Sequence, residues 1–293
     1  MEESRPEAAR SKISVVLPVL TPTPFLRAMT EFAVKTLRAH ADNPFELIIV
    51  EALGGPTGVG HFDPHIWEGA RGIMICEDRK DQVVSIRADK YLLFNPKIGA
   101  VREFNAGADL ATGDFVLSTG NDVIVPPHWD TELLRVFENN ADCGVASLSA
   151  FEPGAVIGPG SPQECISQQP EVGVVECVEG MYSPFMAWRR GWRMDEAYRK
   201  IYCDSDFVMR VYQKGQRAYR SCRAHVHHLL RMTSDRVGQE QHRLDLAQDE
   251  RLFYQRWGKS RLMIMGLIRG GHWQYGREHL SFTAPINLHY KAG

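Results

Sequence analysis

Short β-branched runs alternate with amphipathic stretches along the first half of the chain. ISVVLPVL (Ile13–Leu20) is continuous, apolar and closed by proline, the pattern of a buried strand. From Pro24 to Ala39, the residues Phe25, Met29, Phe32, Ala33, Thr36 and Leu37 recur at helical spacing, and Asn43-Pro44 ends the segment. FELIIVEA reads as a second strand, with the breaker cluster LGGPTGVG behind it. Strand, helix and strand joined by short connections make a βαβ unit, which predicts parallel pairing and a right-handed crossover.

The alternation continues. GIMIC and VVSIRADKYLLFNP each hold a strand, AVREFNAGADLA is a helix ending near Gly113, and DFVLSTG is the next strand. Pro126-Pro127 introduces HWDTELLRVFENN, a helix with Trp129, Leu133, Leu134 and Phe137 inward, and CGVASLSAF follows as a strand. Residues 152–170, rich in Gly, Pro, Ser and Gln, read as a long loop of the functional kind. Beyond it VGVVECVEG and SPFMAWRR suggest strands, and DSDFVMRVYQKG a helix with Phe207, Val208 and Val211 inward, ended at Gly215. RAYRSCRAHVHHL is a strand and HRLDLAQDERLFYQRWG a closing helix. The first half is therefore α/β and the second less regular.

Composition narrows the function classes. With 44% hydrophobic and 24% charged residues, the 293-residue chain has enough apolar material for a substantial core. A net charge of −2 argues against broad non-specific nucleic-acid binding, although basic residues outnumber acidic ones from Arg189 to Arg231. The six cysteines form no CxxC pair, so the expected setting is a reducing, cytoplasmic one with most thiols in the core. Residues 1–11 read as a disordered polar leader with neither signal peptide nor anchor, and no run reaches the roughly 20 apolar residues of a membrane span. RLMIMGLI, in the C-terminal extension 259–293, is too short to span; it packs on the core or lies on a membrane surface.

The candidate chemistry sits at strand ends. In doubly wound sheets, ligands bind outside the carboxyl ends of the parallel strands. Pro18-Val19-Leu20, Glu51 and Asn121-Asp122 fall there, predicting a pocket with two carboxylates, an amide and apolar walls. The carboxylate in GNDVIV is costly to bury alone, so a cation is expected beside Asp122, and hard oxygen ligands suit magnesium or manganese. Taken alone, Glu51 reads equally as a helix cap or surface acid. Asp204 and Asp206 open a helix whose dipole favours negative charge; one is expected to cap it and the other to stay exposed as a general base. Three histidines, His225, His227 and His228, cluster at a strand end near the metal acid.

The order of these pieces resembles the glycosyltransferases of the GT-A fold, in particular the large inverting family 2. ISVVLPVLT matches the family's opening strand, and NAGADLATGDFVLSTGNDVIVPPHW its helix, turn and metal-motif strand. WRMDEAY, CDSDFVMRVYQKG and FYQRWG match its later elements in the same order, so the resemblance covers about residues 12–258. It implies a mixed, mostly parallel central sheet flanked by helices. Residues 12–150 would form the nucleotide-sugar half of a single domain and 151–258 the acceptor-binding, catalytic half.

By the same resemblance Asp204 is the catalytic base, Asp122 and His228 hold a divalent metal (Mn2+ or Mg2+), and Pro18, Leu20, Glu51, Arg102, Asn105 and Asn121 bind the donor. Three departures stand out. EALGG replaces the usual DDGS, so Glu51 stands in for the aspartate that contacts the base. Gly120 replaces the first acid of the metal motif, and Cys203 the glutamate before the base.

The expected function is metal-dependent, inverting transfer of a sugar from a nucleotide-sugar donor to the hydroxyl of a glycan, lipid-linked, protein or modified nucleic-acid acceptor. A non-catalytic sugar-nucleotide or glycan-binding module on the same fold is the alternative. A nucleotidyltransferase is disfavoured, because PVLTPTPF offers neither the glycine nor the lysine of a triphosphate loop. RMTSDRVGQEQ (Arg231–Gln241), polar and carrying two arginines, reads as a lid over the diphosphate.

Overall fold

The computed structural model describes residues 12–20, 24–52, 88–94, 99–151, 173–176, 185–229 and 239–258. The expected strands around GIMIC, the loop at 152–170, most of the proposed lid and the C-terminal extension lie outside them. Within them the strands are β1 (Ile13–Leu20), β2 (Glu46–Ala52), β3 (Lys90–Phe94), β4 (Phe115–Thr119), β5 (Val123–Ile124), β6 (Cys143–Phe151), β7 (Val174–Glu176), β8 (Phe185–Arg189) and β9 (Arg217–His228). The helices are α1 (Pro24–His40), α2 (Ala100–Leu110), α3 (Trp129–Asn139), α4 (Cys203–Gln213) and α5 (Gln239–Trp257).

The strands form one sheet in the order β3-β2-β1-β4-β8-β6-β9-β5, with β7 on β9. Strands β1, β2, β3, β4, β6 and β9 run one way, while β5, β7 and β8 run against them. The sheet is thus mixed and mostly parallel, as expected. Strand β8 lies between β4 and β6, so both halves of the chain share the sheet. From β1 the chain adds β2 and β3 on one side and β4 on the other, which puts a topological switch point between β1 and β4.

Two cores cover the two faces. Val16, Ile48 and Val50 pack with α2, α4 and α5 through Phe104, Phe207 and Phe253. Val15, Leu17, Leu47 and Ile49 pack with α1 and α3 through Leu37, Trp129 and Phe137. The period-two alternation of the strands divides them so. Helix α2 lies so close to the sheet that a Cβ on Gly107 would sit 2.5 Å from Val16 Cγ1 and 2.8 Å from Val50 Cγ2.

Helix α1 corrects one expectation. Of the six positions at helical spacing, Met29, Ala33, Thr36 and Leu37 are buried, but Phe25 and Phe32 are 43% and 50% exposed, and Leu26, Thr30 and Val34 complete the buried stripe. Cys143 and Cys203 are buried free thiols, as expected of cysteines in the core. No helix among the described residues is long and apolar enough to cross a membrane.

Candidate functional site

The carboxyl ends of β1 and β4 open onto a cavity of about 290 Å3. Pro18 walls it from β1, Ser118, Thr119 and Gly120 from the end of β4, and Ala100, Val101 and Phe104 from the start of α2. Asp122, His228, Lys200 and Cys203 supply its chemistry. The β4–β5 turn and the β5–β9 pairing bring Asp122 and His228 together. Val123 lies opposite His228 in the ladder, and the Leu229 N–H donates to the Asp122 carbonyl at 2.9 Å. His228 Nε2 comes within 3.5 Å of Asp122 Oδ2, with 12% and 14% of the two side chains exposed. Alternation along β9 gives His228 the parity of buried Val226, while exposed His225 and His227 share the other parity. One histidine of the three therefore belongs to the site.

Gly120 has a local reason. A Cβ there would lie 2.5 Å from Asp122 Oδ1, so the Asp122 carboxylate occupies space that any side chain at 120 would contest. Thr119, at the same wall, is 3% exposed and its hydroxyl has no hydrogen-bond partner. An orphaned buried hydroxyl is costly, and by strand parity this one shares the Leu117 face toward α1 and α3, while Ser118 takes the face toward α2.

Asp204 stands in the first turn of α4, partly buried, directly after the cavity residue Cys203. Burial, and next the negative charge of Asp204, push the Cys203 thiol well above its ordinary value, so it stays protonated. The residue before the helix, Tyr202, adopts a left-handed φ of 61° without a side-chain cap. Such a conformation is strained for a non-glycine residue and persists where neighbours fix it. Here the Tyr202 ring packs on Phe253 of α5 at 5.3 Å, and its hydroxyl reaches Glu250 Oε1 at 3.4 Å.

Asp206 is not the cap expected of one of the two aspartates. It is fully buried and accepts from Arg210 Nε at 2.9 Å, Arg256 Nη1 at 2.9 Å, Trp257 Nε1 at 3.1 Å and the Tyr198 hydroxyl at 3.3 Å. Arg256 also meets Asp195 at 2.5 Å. Burial pushes the Asp195 carboxyl up, but the Ala197 N–H and Arg256 outweigh it and hold the group below its usual value. The DEAY, DSD and RWG stretches thus converge on one clamp that fixes α4 against α5. Asp249, fully buried on α5, completes it by accepting from the backbone N–H groups of Arg199, Lys200 and Ile201 at 2.9, 2.9 and 2.8 Å.

The remaining expected donor residues are placed differently. Glu51 is fully buried near the end of β2, accepts a hydrogen bond from the Tyr91 hydroxyl, and has the parity of Leu47 and Ile49 on the α1 and α3 face. Asn121, also buried, donates to Thr30 Oγ1 at 3.0 Å and thereby ties the turn to α1. Asn105 is fully buried; its Nδ2 donates to the Met194 carbonyl at 2.9 Å and its Oδ1 accepts from the Met194 N–H at 3.1 Å. The expected second carboxylate and amide are therefore not among the residues lining the cavity. Leu20 ends β1 opposite Ala52. Arg102 is exposed, reaches Glu196 at 3.9 Å and lines a second cavity of about 520 Å3. That cavity shares Ala100 and Lys200 with the first. The motif reading missed Lys200 and Thr119.

No family model matches the chain, and no curated protein matches its sequence significantly. Solved structures do match its fold. S. aureus TarS 1–349 superposes with a TM-score of 0.55 at 14% identity, over 89% of this chain and 71% of that one. The same segment in complex with UDP gives 0.54 at 17% identity over the same shares. For TarS itself, the TM-score is 0.55 at 14% identity over 91% of this chain, which spans 44% of that longer one. The chain thus shares the fold of TarS.

Proposed function

We propose that the protein is an inverting glycosyltransferase whose nucleotide-sugar donor places its diphosphate in the cavity between Asp122 and His228. One observation carries the reading: a carboxylate and an imidazole from different strands meet at 3.5 Å, at the switch point where this fold class binds ligands. The motif resemblance supports it, as does the shared fold with the glycosyltransferase TarS, solved with UDP.

A divalent metal fits the residues present. Asp122 and His228 would hold it, and no group of three or more His, Cys, Asp or Glu side chains converges among the described residues. Two protein ligands leave the other positions to phosphate oxygens and water, and one imidazole among oxygen donors suits manganese better than magnesium. When bound, the ion would offset the charge that grows on the leaving diphosphate.

The chain's own groups would do the rest. Asp204 takes the proton of the acceptor hydroxyl as that oxygen attacks the anomeric carbon from the face opposite the diphosphate. The Asp206 clamp and the Asp249 anchor hold the start of α4 in place, which preserves the attack geometry. Pro18, Val101, Phe104 and Met194 present apolar surface that limits water around the reacting centre.

Incubation with a panel of nucleotide sugars and manganese should release nucleoside diphosphate. Asp204→Asn should keep donor affinity and lose about 10²–10⁴-fold in turnover. Unchanged turnover would remove Asp204 from the chemistry. Donor binding without release by the unaltered protein would instead indicate a binding module.

A further inference from the structure

Lys200 is the residue that the motif reading did not reach and the geometry singles out. It stands where the two cavities meet and lines both. Among the described residues lining the smaller cavity, it carries the only permanent positive charge; Asp122 is the acid, and His228 is charged only when protonated. Its backbone position is set by Asp249, whose carboxylate accepts from the N–H groups of Arg199, Lys200 and Ile201 within 2.9 Å. A fully buried anchor beneath an exposed lysine fixes where its side chain starts.

The metal site beside it is short of negative charge. By the motif resemblance Gly120 stands where a second acid would be, and a Cβ there would lie 2.5 Å from Asp122 Oδ1. With one carboxylate and one imidazole, the protein holds a cation less tightly than two carboxylates would. More of the work of binding a diphosphate then falls to a cation that belongs to the chain.

We propose that Lys200 is a diphosphate-binding residue, whose ammonium holds phosphoryl oxygens of the nucleotide without the help of a metal. This rests on the reading of the cavity as the donor site. Lys200 also lines the larger cavity on its other side.

The test is calorimetry with uridine, guanosine, cytidine and thymidine diphosphates in the presence of a chelator, repeated with manganese. The unaltered protein should bind at least one of them in chelator. Lys200→Met and Lys200→Gln should weaken that binding about tenfold or more, and Lys200→Arg should restore most of it. Affinity for the matching free nucleoside should not change, because the lost contact is to phosphate. Equal chelator affinity of Lys200→Met, Lys200→Gln and unaltered protein would overturn the proposal, as would binding by the unaltered protein only when manganese is present. If the unaltered protein binds none of the four in either condition, the donor-site reading itself fails.

Discussion

Asp204 and Asp206 are separated by one residue on α4, yet they belong to two different kinds of place. Asp206 is fully buried, with two arginines, an indole and a phenol directed at it. Asp204 is only partly buried and directly follows Cys203, which lines the cavity with Asp122, His228 and Lys200, although Asp204 is not itself among the lining residues. The same contrast runs through the molecule. Glu46 is gripped by Ser14 at 2.5 Å, Lys90 at 2.5 Å and the Thr112 N–H at 2.8 Å, and Asp249 holds three backbone N–H groups. Asp122 instead has a histidine 3.5 Å away and open volume in front of it. A buried acid ringed by donors stabilises the fold; an acid at a cavity wall keeps capacity for a ligand.

That contrast can be broken in order of expected effect on stability. Asp206→Ala should be the most damaging, because it leaves Arg210 and Arg256 without their shared carboxylate and opens the joint between α4 and α5. Removing one partner from a buried ion pair costs about 3–5 kcal/mol. Urea unfolding should show that loss, and a change under about 1 kcal/mol would mean that the clamp is incidental.

Glu46 offers a gentler probe through pH. Burial raises its carboxyl pKa, but Lys90, Ser14 and Thr112 together outweigh burial and hold it below its ordinary value of 4.5. A carboxylate with a depressed folded-state pKa stabilises the protein above its unfolded value and loses that contribution as pH falls through the folded one. The unaltered protein should therefore lose stability as pH drops below about 4.5, and Glu46→Gln should lose less over the same interval. Parallel pH profiles for the two proteins would show that Glu46 is not among the acids governing that loss.

Much of this arrangement was legible in the sequence, and the exceptions have physical causes. The continuous apolar runs of β1 and β2 and the closing glycines reported elements well, because strand and helix periods are local properties. In helix α1 the buried stripe keeps Met29, Ala33, Thr36 and Leu37 but takes Leu26 and Val34 in place of the bulkier Phe25 and Phe32, because packing on the sheet and not side-chain bulk selects the face. Strand-end position identified Asp122 but could not say which face a neighbour uses. The parity of Glu51 with Leu47 and Ile49, and of His225 with His227, carried that information. Lys200 had no local signal: its place is set by Asp249, 49 residues further along the chain.

The smallest stability effect should come from Asp122→Asn, within about 0.5 kcal/mol, since this side chain faces a cavity rather than a ring of donors. It also gives the most direct test of the account. Electron paramagnetic resonance of manganese, titrated into the protein with nucleoside diphosphate present, counts bound ions without requiring turnover. The unaltered protein should bind one ion per chain. Asp122→Asn and His228→Ala should each weaken that binding by more than the roughly 10–100-fold that losing a supporting partner costs. Manganese bound equally well by all three proteins would contradict the assignment of this cavity as the metal and diphosphate site.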